Sequence, residues 1–67
     1  MSLSIREIEV LNLLAYEATS QEISEKLFIS KNTAKSHRKN LLSKLKVRNT
    51  AGLVRRGFEL GYLSIRI

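Results

Sequence analysis

The chain has 67 residues with no Cys, no Asp and a single His, so a disulfide framework, a Cys/His zinc site and a serine–histidine–aspartate centre all lack their residues. No apolar run approaches the ~20 residues that span a bilayer, and no secretory leader pattern is present; one soluble, cytoplasmic domain over 1–67, with no metal, cofactor or membrane contact, is the expectation. Twelve Lys and Arg stand against six acidic residues, a net charge of +6 that favours a polyanionic partner.

The first element in the chain is a helix over about 4–15. Ser4 and Glu7 have the S-x-x-E spacing of a capping box, in which hydroxyl and carboxylate take up backbone N–H groups left free at a helix start. Ile8, Val10, Leu11, Leu14 and Ala15 then supply an apolar stripe. A second, two-turn helix over 20–27 repeats the box with Thr19 and Glu22, and Ile23 and Leu27 share its inner face. Phe28-Ile29-Ser30 interrupts the pattern; Phe28, like Leu13 and Leu14, reads as a core or staple residue, and Ser30 suits an N-cap. The third helix, over 31–46, is the longest. A fourth, over 50–60, opens on Asn49 and closes on Gly61, the residue type best suited to a left-handed cap. Gly52 and Gly57 inside it each cost up to ~1 kcal/mol relative to Ala, so this helix relies on packing or on a partner chain. The tail Tyr62 to Ile67 alternates like a short extended segment. A frayed end, a partner-binding strand and packing against another domain all fit it.

Charge follows this order. Five Glu lie in the first 25 residues, and from Lys26 to Phe58 there is no acid at all, while ten of the twelve basic residues fall there. On a wheel of ~100° steps, Ala34, Leu41 and Leu45 form the seam of the third helix, with Arg38 at ~40° and His37 at ~60° on either side. The opposite side carries Asn32, Ser36, Lys39 and Ser43, flanked by Lys35 and Asn40. All are hydrogen-bond donors and none is acidic. Such a face suits the major groove of DNA, where Lys and Asn address base acceptors and Ser adapts to either type. A short helix, a tight connection and a longer basic helix are the parts of a helix-turn-helix. The first turn of its second helix offers free N–H groups to phosphate, where Ser30, Lys31, Asn32 and Thr33 stand.

The segments L-S-I-R-E-I-E-V-L-N-L-L-A (3–15), S-Q-E-I-S-E-K-L-F-I-S (20–30), N-T-A-K-S-H-R-K-N-L-L-S-K-L-K-V (32–47) and G-Y-L (61–63) resemble the C-terminal effector domain of LuxR-type transcription regulators, also found on bacterial response regulators. Any one of these elements is weak, and their joint order and spacing are specific. The resemblance implies an all-α, four-helix (tetrahelical) helix-turn-helix fold and sequence-specific binding of double-stranded DNA as a transcription regulator's output domain. Lys35, Ser36 and Lys39 occupy the slots that contact bases. Ser30, Thr33, Asn40 and Lys44 occupy slots usual for phosphate contact, with His37 at the scaffold edge. Lys31, Asn32, Arg38, Ser43 and Lys46 complete the candidates for backbone contact. The slots of Glu7 and Glu22 brace helices. The last helix commonly forms a homodimer contact, which draws Leu53, Val54, Arg56, Gly57 and Leu60 into a candidate interface. RNA polymerase is a further candidate partner, and a regulatory domain normally precedes such a domain, so Met1-Ser2 is a cut point or a cloning residue.

The chain departs from the family pattern at Ala34, where Val is usual, at Ser24, a usual small apolar site, and at Gly52 and Gly57. Two rivals share part of the pattern. A sigma-factor promoter-recognition domain has the R-E-x-E-V-L logic, but the complete fourth helix and the K-x-H-x-x-N spacing argue against it. A degenerate effector domain would use the basic face to bind an acidic protein. Catalysis has no support: Glu7 and Glu9, two apart on a helix, do not face each other.

Overall fold

A computed structural model describes residues 3–64. Four helices follow in order, α1 Ile5–Ala15, α2 Ser20–Leu27, α3 Lys31–Leu45 and α4 Thr50–Glu59. Each begins at the residue its sequence nominates. Ser4 and Thr19 accept from the N–H groups of Glu7 and Glu22 while those carboxylates accept from the Ser4 and Thr19 N–H groups, so both capping boxes close. Ser30 accepts from Thr33 N–H and Asn49 from Gly52 N–H.

The ends follow a second rule. Just past the four helices, Glu17, Phe28, Lys46 and Gly61 adopt left-handed φ values of 67°, 56°, 56° and 84°. This geometry turns the chain sharply and lets the following N–H groups reach back, as Ile29 N–H does to the Ser24 carbonyl and Val47 N–H to that of Leu42. Only the last of the four is glycine. The other three carry side chains in a conformation that L-residues enter at a cost of about 1–2 kcal/mol.

The core holds Leu3, Val10, Leu11, Leu14, Ile23, Ala34, Leu41, Leu45, Leu53 and Leu63. α3 is its axis, packed against α1, α2 and α4, and α1 also meets α4. Ala34 is buried against this core, so its small side chain is spent on helix packing and is withdrawn from any groove contact. Ser24, also buried, is satisfied by donating to the Gln21 carbonyl at 2.7 Å. Among the described residues no helix is long and apolar enough to cross a membrane.

Two expectations are corrected. Phe28 is 94% exposed and takes no part in the core, because the left-handed turn at its own backbone swings it off the apolar face of α2. Gly57 and Gly52 are close-approach positions. A Cβ on Gly57 would lie 2.6 Å from Leu63 Cδ1, and one on Gly52 would lie 2.9 Å from Val47 Cβ. Leu63 is buried on Gly57, the Tyr62 and Leu63 N–H groups donate to the Gly57 carbonyl, and Tyr62 Oη accepts from Leu3 N–H at 3.4 Å. The first part of the tail therefore closes the core under α1 and α4. Residues 65–67 of the tail, and Met1-Ser2, lie outside the described residues.

Candidate nucleic-acid interface

The α2–α3 pair is set by two contacts of opposite kind. Ile23 of α2 and Ala34 of α3, both almost wholly buried, join the same core cluster. The turn between them is held by the Ile29 N–H bond to Ser24, and it delivers Ser30 to the start of α3. There the Ser30 hydroxyl accepts from Thr33 N–H at 3.0 Å and shares a 2.8 Å hydrogen bond with the Thr33 hydroxyl. Both hydroxyls therefore stay at the positive end of the helix dipole, beside Lys31 and Asn32, which are exposed.

Along α3 the buried seam is Ala34, Leu41 and Leu45. With that seam turned inward, Asn32, Lys35, Ser36, Lys39, Asn40 and Ser43 are all exposed on the outer side. Lys35, Ser36 and Lys39 thus share one solvent-facing strip about 6 Å long at 1.5 Å per residue. Lys46, also exposed, is the left-handed cap just past the end of the helix. The strip contains no acid, and it protrudes because α3 is carried on its opposite face by three other helices.

Several predicted site residues have structural employment. Arg38 is half-buried, and its Nε and Nη2 donate to Thr50 Oγ1 at 3.1 and 3.0 Å, tying the middle of α3 to the first residue of α4. His37 is half-buried on the other flank of the seam. Lys44 donates to the buried carboxylate of Glu7 at 2.9 Å. The Lys44 ammonium and the Ser4 N–H together hold the Glu7 carboxyl below its ordinary value, against the opposing effect of burial. The Lys44 ammonium is therefore paired within the domain, although its side chain remains partly exposed. That pairing was legible in part: Glu7 shares the inward stripe of α1 with Val10, Leu11 and Leu14, a place where an acid needs a partner.

The predicted interface on α4 is also corrected. Leu53 and Gly57 are buried in the domain's own core and are unavailable to a second chain. Val54 and Arg56 are half-buried and Leu60 is 47% exposed, so only these three of the predicted set reach the surface. Arg56 is engaged with Glu59, as is Arg55. Among the described residues no group of acidic or His side chains is arranged to hold a metal ion.

Known proteins place this geometry. The family model described as bacterial regulatory proteins, luxR family, matches residues 1–56. The chain is 42% identical over 62 residues to the transcriptional regulatory protein MctR of Rhizobium johnstonii, covering 92% of this chain and 29% of that protein. It is 49% identical over 49 residues to the transcriptional regulatory protein LnrK of Bacillus subtilis, covering 73% of this chain and 22% of that one. The chain thus spans less than a third of the length of either regulator. The solved structure of the transcription factor GerE superposes with a TM-score of 0.87 at 34% identity, covering 92% of both chains. The chain belongs to the luxR family of bacterial regulatory proteins, and its four helices are that family's helix-turn-helix DNA-binding domain.

Proposed function

We propose that this domain recognises a specific double-stranded DNA site from the major groove as the output end of a bacterial transcription regulator. The observation that carries the reading is the acid-free, exposed strip on α3, opposite a seam locked into the core. Lys35, Ser36 and Lys39 read base edges from that strip. Ser30, Lys31, Asn32 and Thr33 hold phosphate at the start of α3, where free N–H groups and the dipole add to the Lys31 charge. Asn40, Ser43, His37 and Lys46 contact the backbone along the flanks. Arg38 and Lys44 act mainly by fixing α3 on α4 and α1, and so hold the reading face in orientation.

A second copy meets this one through the exposed part of α4, at Val54, Arg56 and Leu60. A regulatory domain precedes the domain in the full-length protein, RNA polymerase is a downstream partner, and the site of action is the cytoplasm. Selection of bound sites from a random duplex pool tests the reading. Enrichment of one motif, with inverted half-sites if two copies bind, supports it. A pool that stays random after repeated selection contradicts it.

A further inference from the structure

We propose that Phe28 packs against the sugar edge of the DNA strand whose phosphates meet the start of α3, so that the turn between α2 and α3 is itself a DNA contact. The proposal rests on the DNA-binding reading above and extends it to a residue outside the reading helix.

Three observations converge on this residue. Phe28 is 94% exposed, the most exposed large apolar side chain among the described residues, so nothing in the fold covers its ring. Its backbone sits at φ 56° and ψ 44°, in the left-handed region where Gly or Asn is at home and an aromatic residue is strained. Neither local conformation nor core packing therefore favours Phe here, and an outlier of that kind is grounds for a functional reading. Its place in the fold names the partner. The Phe28 and Ile29 N–H groups both bond to the Ser24 carbonyl, which pins the turn two residues before the Ser30 cap of α3. Exposed Lys26 and Lys31 bracket it in the sequence.

An exposed ring two residues before the N-cap of a helix whose first residue is the exposed Lys31 matches the chemistry of a nucleic-acid backbone. The phosphates meet the Lys31 ammonium and the free N–H groups, and the C–H face of the intervening deoxyribose meets the ring. A purely apolar protein partner fits less well, because the apolar groove of the domain lies elsewhere. That groove is lined by Ile5, Ile8, Leu13 and Leu27 with Glu9, Asn12 and Lys26, and Phe28 has no part in it.

The chain contains no Trp, so Phe28→Trp introduces a single indole at the site, excited apart from the two Tyr. On saturation with a random-sequence duplex, the introduced indole should shift its emission to shorter wavelength and lose at least about half of its quenching by acrylamide, as its exposed face is covered. Phe28→Gly supplies the independent check. It should raise the urea midpoint of unfolding by relieving the left-handed strain, yet weaken binding to selected and random duplexes alike by about five-fold. The salt dependence should be unchanged, since no charge is removed. Full quencher access in a complex that anisotropy shows to be formed, or undiminished affinity of Phe28→Gly, would overturn the proposal while leaving the DNA reading intact. Failure of the unsubstituted chain to bind any duplex would instead overturn the reading itself, and this proposal with it.

Discussion

Lys44 Nζ lies 2.9 Å from each carboxylate oxygen of Glu7, and this one ammonium fastens the C-terminal half of α3 to the first turn of α1. The two partners are unequally placed. The Glu7 side chain is 7% exposed and that of Lys44 is 37% exposed. An unpaired Lys44 would remain hydrated, whereas an unpaired Glu7 would be a buried carboxylate left with the Ser4 N–H alone.

The first prediction follows from that asymmetry. Lys44→Met should cost about 2–3 kcal/mol of unfolding free energy, because it strands a buried charge. Glu7→Gln should cost about 1–2 kcal/mol, since Gln still closes the capping box and leaves its former partner in water. Urea unfolding of the two variants checks the order. A larger loss for Glu7→Gln would contradict the asymmetry.

Acid should weaken the fold in a defined direction. The carboxyls of Glu7, Glu22 and Glu59 are each held below the ordinary value of 4.5, by Lys44, by the Thr19 backbone N–H and by Arg56 as the leading causes. A carboxyl whose folded-state value is depressed contributes stability that is complete above the unfolded value and is lost as pH falls through the folded one. Stability should therefore be flat above about pH 5.5 and fall below about pH 4.5. Glu7→Gln should flatten that acid limb. An acid limb of unchanged steepness in the variant would remove Glu7 as a contributor.

Gly57 offers a test of packing against propensity. Substitution by Ala raises intrinsic helix propensity by up to ~1 kcal/mol, but its Cβ would press on Leu63 and Leu11. Overpacking costs ~1–3 kcal/mol, so Gly57→Ala should be destabilising on balance. Leu63→Ala in the same chain should recover part of the loss, a coupling that a double-mutant cycle measures. Strict additivity would show that Leu63 does not rest on Gly57.

How much of this was written in the sequence differs by feature. The helices and their starts were legible because Ser4, Thr19, Ser30 and Asn49 act within three residues of themselves. The exposed face of α3 was legible because Ala34, Leu41 and Leu45 define an inside, and geometry then defines an outside. The roles of Gly57 and Leu63 were not, since their contact joins a helix to the tail through space, and a glycine in a helix reads locally as a weakness. Phe28 misled for the same reason: an aromatic beside an apolar helix suggests core, and its exposure depends on a left-handed backbone that local propensity argues against. The Arg38 bond to Thr50 required knowing how α4 crosses α3.

Salt dependence should separate phosphate contacts from braces. Lys31→Ala should reduce the slope of log affinity against log salt by about one unit, the signature of one lost phosphate contact. Lys44→Ala should leave the slope nearly unchanged, because its charge is already paired with Glu7. A full unit lost with Lys44→Ala would return that residue to the DNA interface.

The reading face itself is tested most directly by titrating the parent chain and Lys39→Ala against a selected and a random duplex at one fixed salt concentration. The parent should prefer the selected site, and the substitution should shrink that preference by ~1–3 kcal/mol. Equal weakening on both duplexes, with the preference intact, would contradict it and leave Lys39 as a phosphate contact only.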